Sequence, residues 1–275
     1  MNKTLVATLV LVLLSGCAGQ VGQTQTENIH VPRPADPTRA WDIELNLGSA
    51  SVSVGSRAEA LVQGTIEYNV DSLKPYVTIG ERSVKIGQDP QGVLPLNTRN
   101  DWRLQLGRGA RINLAVNTGA SSGEWELGGL SLQSLKWTQG AADATLSFSE
   151  PNPEPMESFT VNGGAASMTI RGLANANIDV GNITAGAGAL TLVFDGQLTA
   201  DADITIDGGV SAVTIYSGGN PIQLIAEGAL KAVDNKGWTQ SDKNYYSPEW
   251  SIASTPVIKL HARLGVATLQ LIEGK

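Results

Sequence analysis

The sequence predicts an all-β protein wound as a right-handed single-stranded β-helix, a β-solenoid whose coils repeat every 20 to 24 residues or roughly so. Three observations carry that expectation. A turn of small residues followed by an alternating strand recurs, first as Gly140-Ala141-Ala142-Asp143-Ala144-Thr145-Leu146 and then as Gly164-Ala165-Ala166-Ser167-Met168-Thr169-Ile170. Residues 186–192, 209–215 and 265–271 repeat it. No stretch offers the i, i+3, i+4 apolar spacing of a long helix. With 31 Gly, 5% aromatic and only 16% charged residues, the composition suits close backbone stacking rather than a bulky core.

At the N-terminus, Lys3 precedes the almost wholly apolar residues 5–14. Ten residues fall short of the ~20 needed to span a bilayer, so the segment reads as a secretory signal. It ends in Leu14-Ser15-Gly16-Cys17, which resembles the bacterial lipobox. That resemblance implies removal of residues 1–16 and acylation (palmitate included) of Cys17, the sole cysteine and the expected lipid-attachment site. The expected partner is then a membrane, held through acylated Cys17 on the extracytoplasmic face of a cell envelope. Ala18 rather than an acidic residue follows, which leans towards the outer membrane of a two-membrane bacterium. Residues 17–40, with Pro32, Pro34 and Pro37 and little periodicity, read as the acylated cysteine and a disordered tether. His30 reads there as a solvated residue.

Residues 41–275 form the expected solenoid domain, with 41–100 its N-terminal part and 101–275 the repeat array. Asp42-Ile43-Glu44-Leu45-Asn46-Leu47 alternates cleanly, turns at Gly48-Ser49-Ala50 and resumes at Val52. Residues 76–79 and 83–86 read as a hairpin joined by Gly80-Glu81-Arg82. In the array, the apolar pairs Leu114/Val116, Leu135/Trp137, Phe159/Val161 and Ile204/Ile206 precede the glycine corners. Ala144/Leu146, Met168/Ile170, Leu190/Leu192, Val213/Ile215 and Leu269/Leu271 follow them. Such pairs share one strand face, so stacking in register makes them a continuous interior. Thr145, Thr169, Thr191, Thr214 and Gln270 then form an external column, and the glycines sit where a β-carbon would clash or φ is positive.

These features resemble the toast-rack proteins, a family of bacterial envelope β-repeat domains related to cell-wall-active-antibiotic response proteins, and are similar to proteins catalogued as candidate adhesins. The resemblance rests on Leu47-Gly48-Ser49-Ala50, residues 64–69, Asp101-Trp102 with Leu104 and Leu106, the Gly-Ala corners, and Arg171-Gly172-Leu173-Ala174-Asn175-Ala176. It implies a right-handed solenoid without known catalysis. Many relatives sit behind transmembrane helices and take part in envelope-stress signalling; here a lipobox stands where those helices would be.

The net charge of −7 without basic clusters makes nucleic acid an improbable partner. One cysteine and two histidines exclude disulfide frameworks and Cys/His zinc sites. Solenoids also serve carbohydrate-active enzymes through clustered carboxylates, and Asp195, Asp201, Asp203 and Asp207 are the nearest such group. Asp203 and Asp207 share a strand face that in principle suits Ca²⁺, but the sequence shows no basic residue recurring beside them, and a solvated acidic edge is the expected reading. His261 reads as an outward strand residue. A single threonine rank lacks the paired flat surface of ice-binding solenoids. The array is interrupted between Gly228 and Gly265 by an insert carrying Trp238, Tyr245, Tyr246 and Trp250, which either caps the rod or forms a partner-binding surface.

The resulting expectation is a non-enzymatic, lipid-anchored bacterial envelope protein without cofactor or metal. Its solenoid serves as a scaffold or interaction surface towards envelope proteins or glycans. A carbohydrate-binding or carbohydrate-active protein and a modulator of an envelope-stress sensor are the alternatives.

Overall fold

The computed structural model describes residues 21–89, 93–141, 143–252 and 256–274. Cys17 and the expected signal segment lie outside the described residues. The chain forms β1 (Gln25–Val31), β2 (Trp41–Leu47), β3 (Ser51–Ala58), β4 (Val62–Tyr68), β5 (Tyr76–Ile79) and β6 (Ser83–Gly87). There follow β7 (Asn100–Gly107), β8 (Arg111–Thr118), β9 (Ser122–Glu126), β10 (Ser131–Gln139), β11 (Ala144–Ser147) and β12 (Ser158–Arg171). The last six are β13 (Val180–Val193), β14 (Ala202–Tyr216), β15 (Ile222–Lys236), β16 (Thr239–Ser241), β17 (Asn244–Tyr246) and β18 (Ile258–Ile272). Two 3-10 turns, Asp71–Leu73 and Pro248–Ile252, are the only helical segments among the described residues.

The strands build two faces that meet along one corner. Leu135 of β10 pairs with Phe159, the first half of β12, whereas Leu146 of β11 pairs with Ile170, the second half. Long strands such as β12 and β13 therefore bend, and their ladder skips the corner glycines: Gly163 pairs with Ala185 and Ala165 with Ala187, leaving Gly164 and Gly186 between. The expected repeat thus appears as parallel pairing at offsets of one coil, the hallmark of a solenoid-like stack.

The corner glycines stack on one another. A β-carbon at Gly140 would lie 2.8 Å from the Gly119 carbonyl oxygen, one at Gly164 2.6 Å from that of Gly140, and one at Gly186 2.8 Å from that of Gly164. Close backbone approach, not a positive φ, is what requires glycine at these three. The column begins at Gly48, whose oxygen would lie 2.9 Å from a β-carbon on Gly119. Regular stacking therefore starts before residue 100, and residue 100 itself opens a strand rather than a boundary.

Every apolar pair expected inside is buried, from Leu114 and Val116 through Ile206 to Leu271. The column facing outward on the second face is half-buried at Thr145, Thr169, Thr191 and Thr214. Trp125 and Trp137 meet edge to face across the interior with ring centroids 4.7 Å apart, an arrangement that aromatic quadrupoles favour. On the far side of three coils, buried asparagines satisfy carbonyls at the turns. The Asn152 amide donates to Leu132 O (2.8 Å), Asn175 to Phe148 O (2.9 Å) and Asn220 to Phe194 O (2.6 Å). Unmet buried carbonyls would cost about 1–3 kcal/mol each.

Spatial order departs from chain order at both ends. β14 pairs with β18, not with β15, and β18 lies between them. At the other end β2 lies between β6 and β8, and β3 between β7 and β9. The expectation that each coil stacks on the next in sequence therefore holds only in the middle of the rod. On one face β6, β2, β8, β10, β12, β13, β14, β18 and β15 stack in that order, about 40 Å at the usual ~4.8 Å spacing.

The expected hairpin is present, with Tyr76 opposite Gly87 and Ile79 opposite Val84. The expected tether contains a strand. Residues 25–31 form β1, which pairs antiparallel with β4 from Gln25–Tyr68 to Val31–Val62 and buries Ile29 and Val31. Alternation of Ile29 and Val31 was too short a signal to outweigh the prolines that follow.

Candidate functional site

The aromatic insert divides into a cap and a surface. β17 adds antiparallel to the outer edge of β15, with Tyr245 opposite Leu224 and Tyr246 opposite Gln223. Period-2 alternation then sends neighbours to opposite sides. Tyr245 (5% exposed) and Trp238 (5% exposed) join the core and close the end of the stack. Tyr246 and Trp250 stay half-buried, with ring centroids 5.5 Å apart and planes tilted by 43°. They line a groove of about 290 Å³ with Thr239, Gln240, Ser241, Ser247 and Pro248. Trp238 Nε1 is buried without a hydrogen-bond partner.

Three of the four carboxylates of the 195–207 stretch are drawn into separate structural bonds. Asp207 binds Arg263 through two contacts of 2.7 Å, and this hydrogen-bonded partner raises the already high pKa of the guanidinium. Asp203 lies 4.0 Å from His261. Asp201 accepts the Val257 N–H at 2.8 Å, and Asp195 accepts the Gly172 N–H at 2.6 Å. The basic residues absent from the local sequence arrive instead from β18, with Lys259, His261 and Arg263 opposite Asp203, Thr205 and Asp207. Insertion of a strand 56 residues downstream produced that juxtaposition, so no local reading could find it. Among the described residues no group of three or more His, Cys, Asp or Glu converges as a metal site. His30 sits exposed on β1, opposite Gln63.

One cluster had no sequence signal. Arg108 donates to both oxygens of Glu150 at 2.7 and 2.8 Å and to Ser56 O and Gly128 O at 2.8 and 3.2 Å. This fork ties three far-side turns together. The same bonds hold the Glu150 carboxyl below its usual range and raise Arg108. Asn152 and Asn175, one coil apart, by contrast, are a readable sign of the far-side ladder.

The two ends of the rod differ. The C-terminal end is closed by Trp238 and Tyr245, whereas the N-terminal end exposes Val77 and Ile79 on β5 and Val93 and Leu96 on the following loop. No helix among the described residues is long and apolar enough to cross a membrane.

Comparison with known proteins bears on the whole. A family model for the N-terminal domain of toast_rack, DUF2154, matches residues 20–171. Its span takes in β1 and begins well before the expected domain start at Trp41. A crystal structure of a candidate cell adhesion protein from Clostridium sporogenes is 17% identical, with 91% of this chain and all of that one covered and a TM-score of 0.51. A candidate adhesin from Bacteroides fragilis is 14% identical, with 91% and 97% covered and a TM-score of 0.35. A candidate lipid-binding protein from Parabacteroides distasonis is 10% identical, with 94% and 97% covered and a TM-score of 0.37. Comparison with the curated proteins yields no match. The model's match over more than half of the chain, on a corner column that begins at Gly48, places this protein in the toast-rack family.

Proposed function

We propose that this is a non-enzymatic, lipid-anchored bacterial envelope protein whose rod serves as a scaffold or interaction surface. The observation that carries the reading is how the outward polar groups are used. Asp42 and Asn113, Asn46 and Asn117, Thr214 and Gln270, and Asp207 and Arg263 bond across neighbouring coils. Groups spent on coil-to-coil bonds hold a long surface in shape; they do not converge on a reacting atom. Family membership and the lipobox-like Leu14-Ser15-Gly16-Cys17 support the envelope location and the anchor. Right-handed winding is the sense favoured by parallel crossovers in about 98% of cases.

The test is Cys17→Ser in cells: the variant should leave the membrane fraction, and the native protein, crosslinked in cells and recovered, should bring specific envelope partners. A variant that stays with membranes after a high-salt wash contradicts the anchor. A second reading, binding of envelope glycans, draws on the Tyr246–Trp250 pair and its groove, since paired aromatics suit sugar faces. Glycan-array binding by the native protein that Trp250→Ala abolishes supports it, and equal binding by both removes it.

A further inference from the structure

Single exposed apolar side chains are ordinary, but a group of them gathered at one place marks a contact surface. Among the described residues seven large hydrophobics are exposed: Val21, Val77, Ile79, Val93, Leu96, Val180 and Val266. Val21 precedes β1, Val77 and Ile79 lie on β5, the edge strand of the N-terminal end, and Leu96 borders a groove with Ser49, Ala50, Ala120 and Ser122 beside that end. Val77 and Ile79 pair with Ile86 and Val84, which are fully buried, so both point to the interior side of the sheet. Among the described residues no strand lies beyond β5 to cover them, and they are 41% and 54% exposed. Val93 and Leu96, on the loop between β6 and β7, are 84% and 91% exposed.

The same end receives the chain's N-terminus. The Gly22 N–H donates to Asn69 O at 2.7 Å, and the Asn69 amide donates to Asn97 O at 3.0 Å, next to Leu96. Leu94 packs on Tyr68, Val70 and Leu73, just before β5. Chain entry, loop and edge strand are therefore stitched into one end. Val21 follows Cys17 by four residues, which span at most about 14 Å fully extended. An anchor at Cys17 holds this end against the bilayer on a leash far shorter than the 24-residue tether the sequence suggested.

From this we infer that the N-terminal end of the rod docks on a lipid bilayer, with Val77, Ile79, Val93 and Leu96 entering the headgroup region. The rod then stands with its sealed end outward. The inference rests on the anchored reading above. Lys74 and Arg82 flank β5 together with Asp71 and Glu81, so the contact is apolar and insensitive to salt.

The test is made independent of acylation. The mature chain, residues 17–275, carrying Cys17→Ser and an N-terminal hexahistidine tag is held on phosphatidylcholine vesicles containing a chelating lipid. Single cysteines replacing Ile79, Leu96, Val180 or Val266 carry an environment-sensitive fluorophore, and brominated lipid is the quencher. Probes at Ile79 and Leu96 should lose about half of their emission while those at Val180 and Val266 lose almost none. Equal, water-like emission at all four positions overturns docking and leaves the Cys17 fractionation result untouched. A blue shift at Ile79 and Leu96 that grows with protein concentration without vesicles assigns the end to a second copy, and also overturns it. Ile79→Ser with Leu96→Ser, both exposed positions, should return quenching at a probe on Val77 to background.

Discussion

Replacing Gly164 by alanine isolates the corner column. Its β-carbon would lie 2.6 Å from the Gly140 carbonyl oxygen, about 0.8 Å inside ordinary contact. The obstacle is backbone that is itself laddered to the next coil, so it cannot turn aside as a flexible side chain would. Overpacking of that kind costs about 1–3 kcal/mol. Against it stands the ~0.4–1 kcal/mol that alanine returns by restricting the unfolded chain. The net expectation is destabilisation of about 1–2 kcal/mol for Gly164→Ala. Its neighbour provides the control. A β-carbon at Gly163 would meet Thr184 O at 3.7 Å, an ordinary contact, so Gly163→Ala should be neutral or stabilise by up to ~1 kcal/mol. Urea unfolding of wild type and both variants, compared by midpoint at common slope, reads the difference directly. A Gly164→Ala midpoint equal to or above wild type would refute the stacked-glycine corner.

Ile206→Asp places a charge in the fully buried stack and should cost several kcal/mol, whereas Thr191→Asp, on the outward column, should stay within about 1 kcal/mol; equal denaturation midpoints contradict the assignment of faces. Trp238→Ala and Tyr245→Ala should each cost about 3–5 kcal/mol because both rings lie in the core, while Trp250→Ala, half-buried, should cost clearly less in the same titration. The Glu150 carboxyl is depressed by the Arg108 hydrogen bonds, so its contribution is complete above about pH 4.5 and is lost as pH falls through the lower folded value. Glu150→Gln should therefore flatten the fall of the melting temperature on acidification below pH 4.5, and an unchanged pH profile would remove Glu150 from that transition.

Most of the array was legible because period-2 alternation and recurrent Gly-Ala corners are local signals, and Phe159, Val161, Met168 and Ile170 lie where they pointed. What lay outside local reach was the order of coils. Nothing in residues 222–236 distinguishes a coil that stacks on β14 from one that waits for β18 to slide between. The same blindness hid the Asp207–Arg263 pair and the Arg108–Glu150 fork, whose members are separated by 56 and 42 residues. The strand inside the expected tether was hidden for another reason: β1 is stabilised by the edge of β4, not by its own composition. For the insert the sequence left cap and surface as alternatives, because only the pairing of β17 with β15 separates Trp238 and Tyr245, which lie in the core, from Tyr246 and Trp250, which pair beside the groove.

The order of coils is what seals one end of the rod and leaves the other bare, so it is the claim to test first. Thr214 stands opposite Gln270, and Gln270 opposite Asp234. In a Cys17→Ser background, cysteines replacing Thr214 and Gln270 should crosslink on mild oxidation, as should those replacing Gln270 and Asp234. Cysteines replacing Thr214 and Asp234 should not, because β18 lies between them. Efficient crosslinking of the Thr214 and Asp234 positions, with none at Thr214 and Gln270, would restore simple sequential stacking and contradict the account.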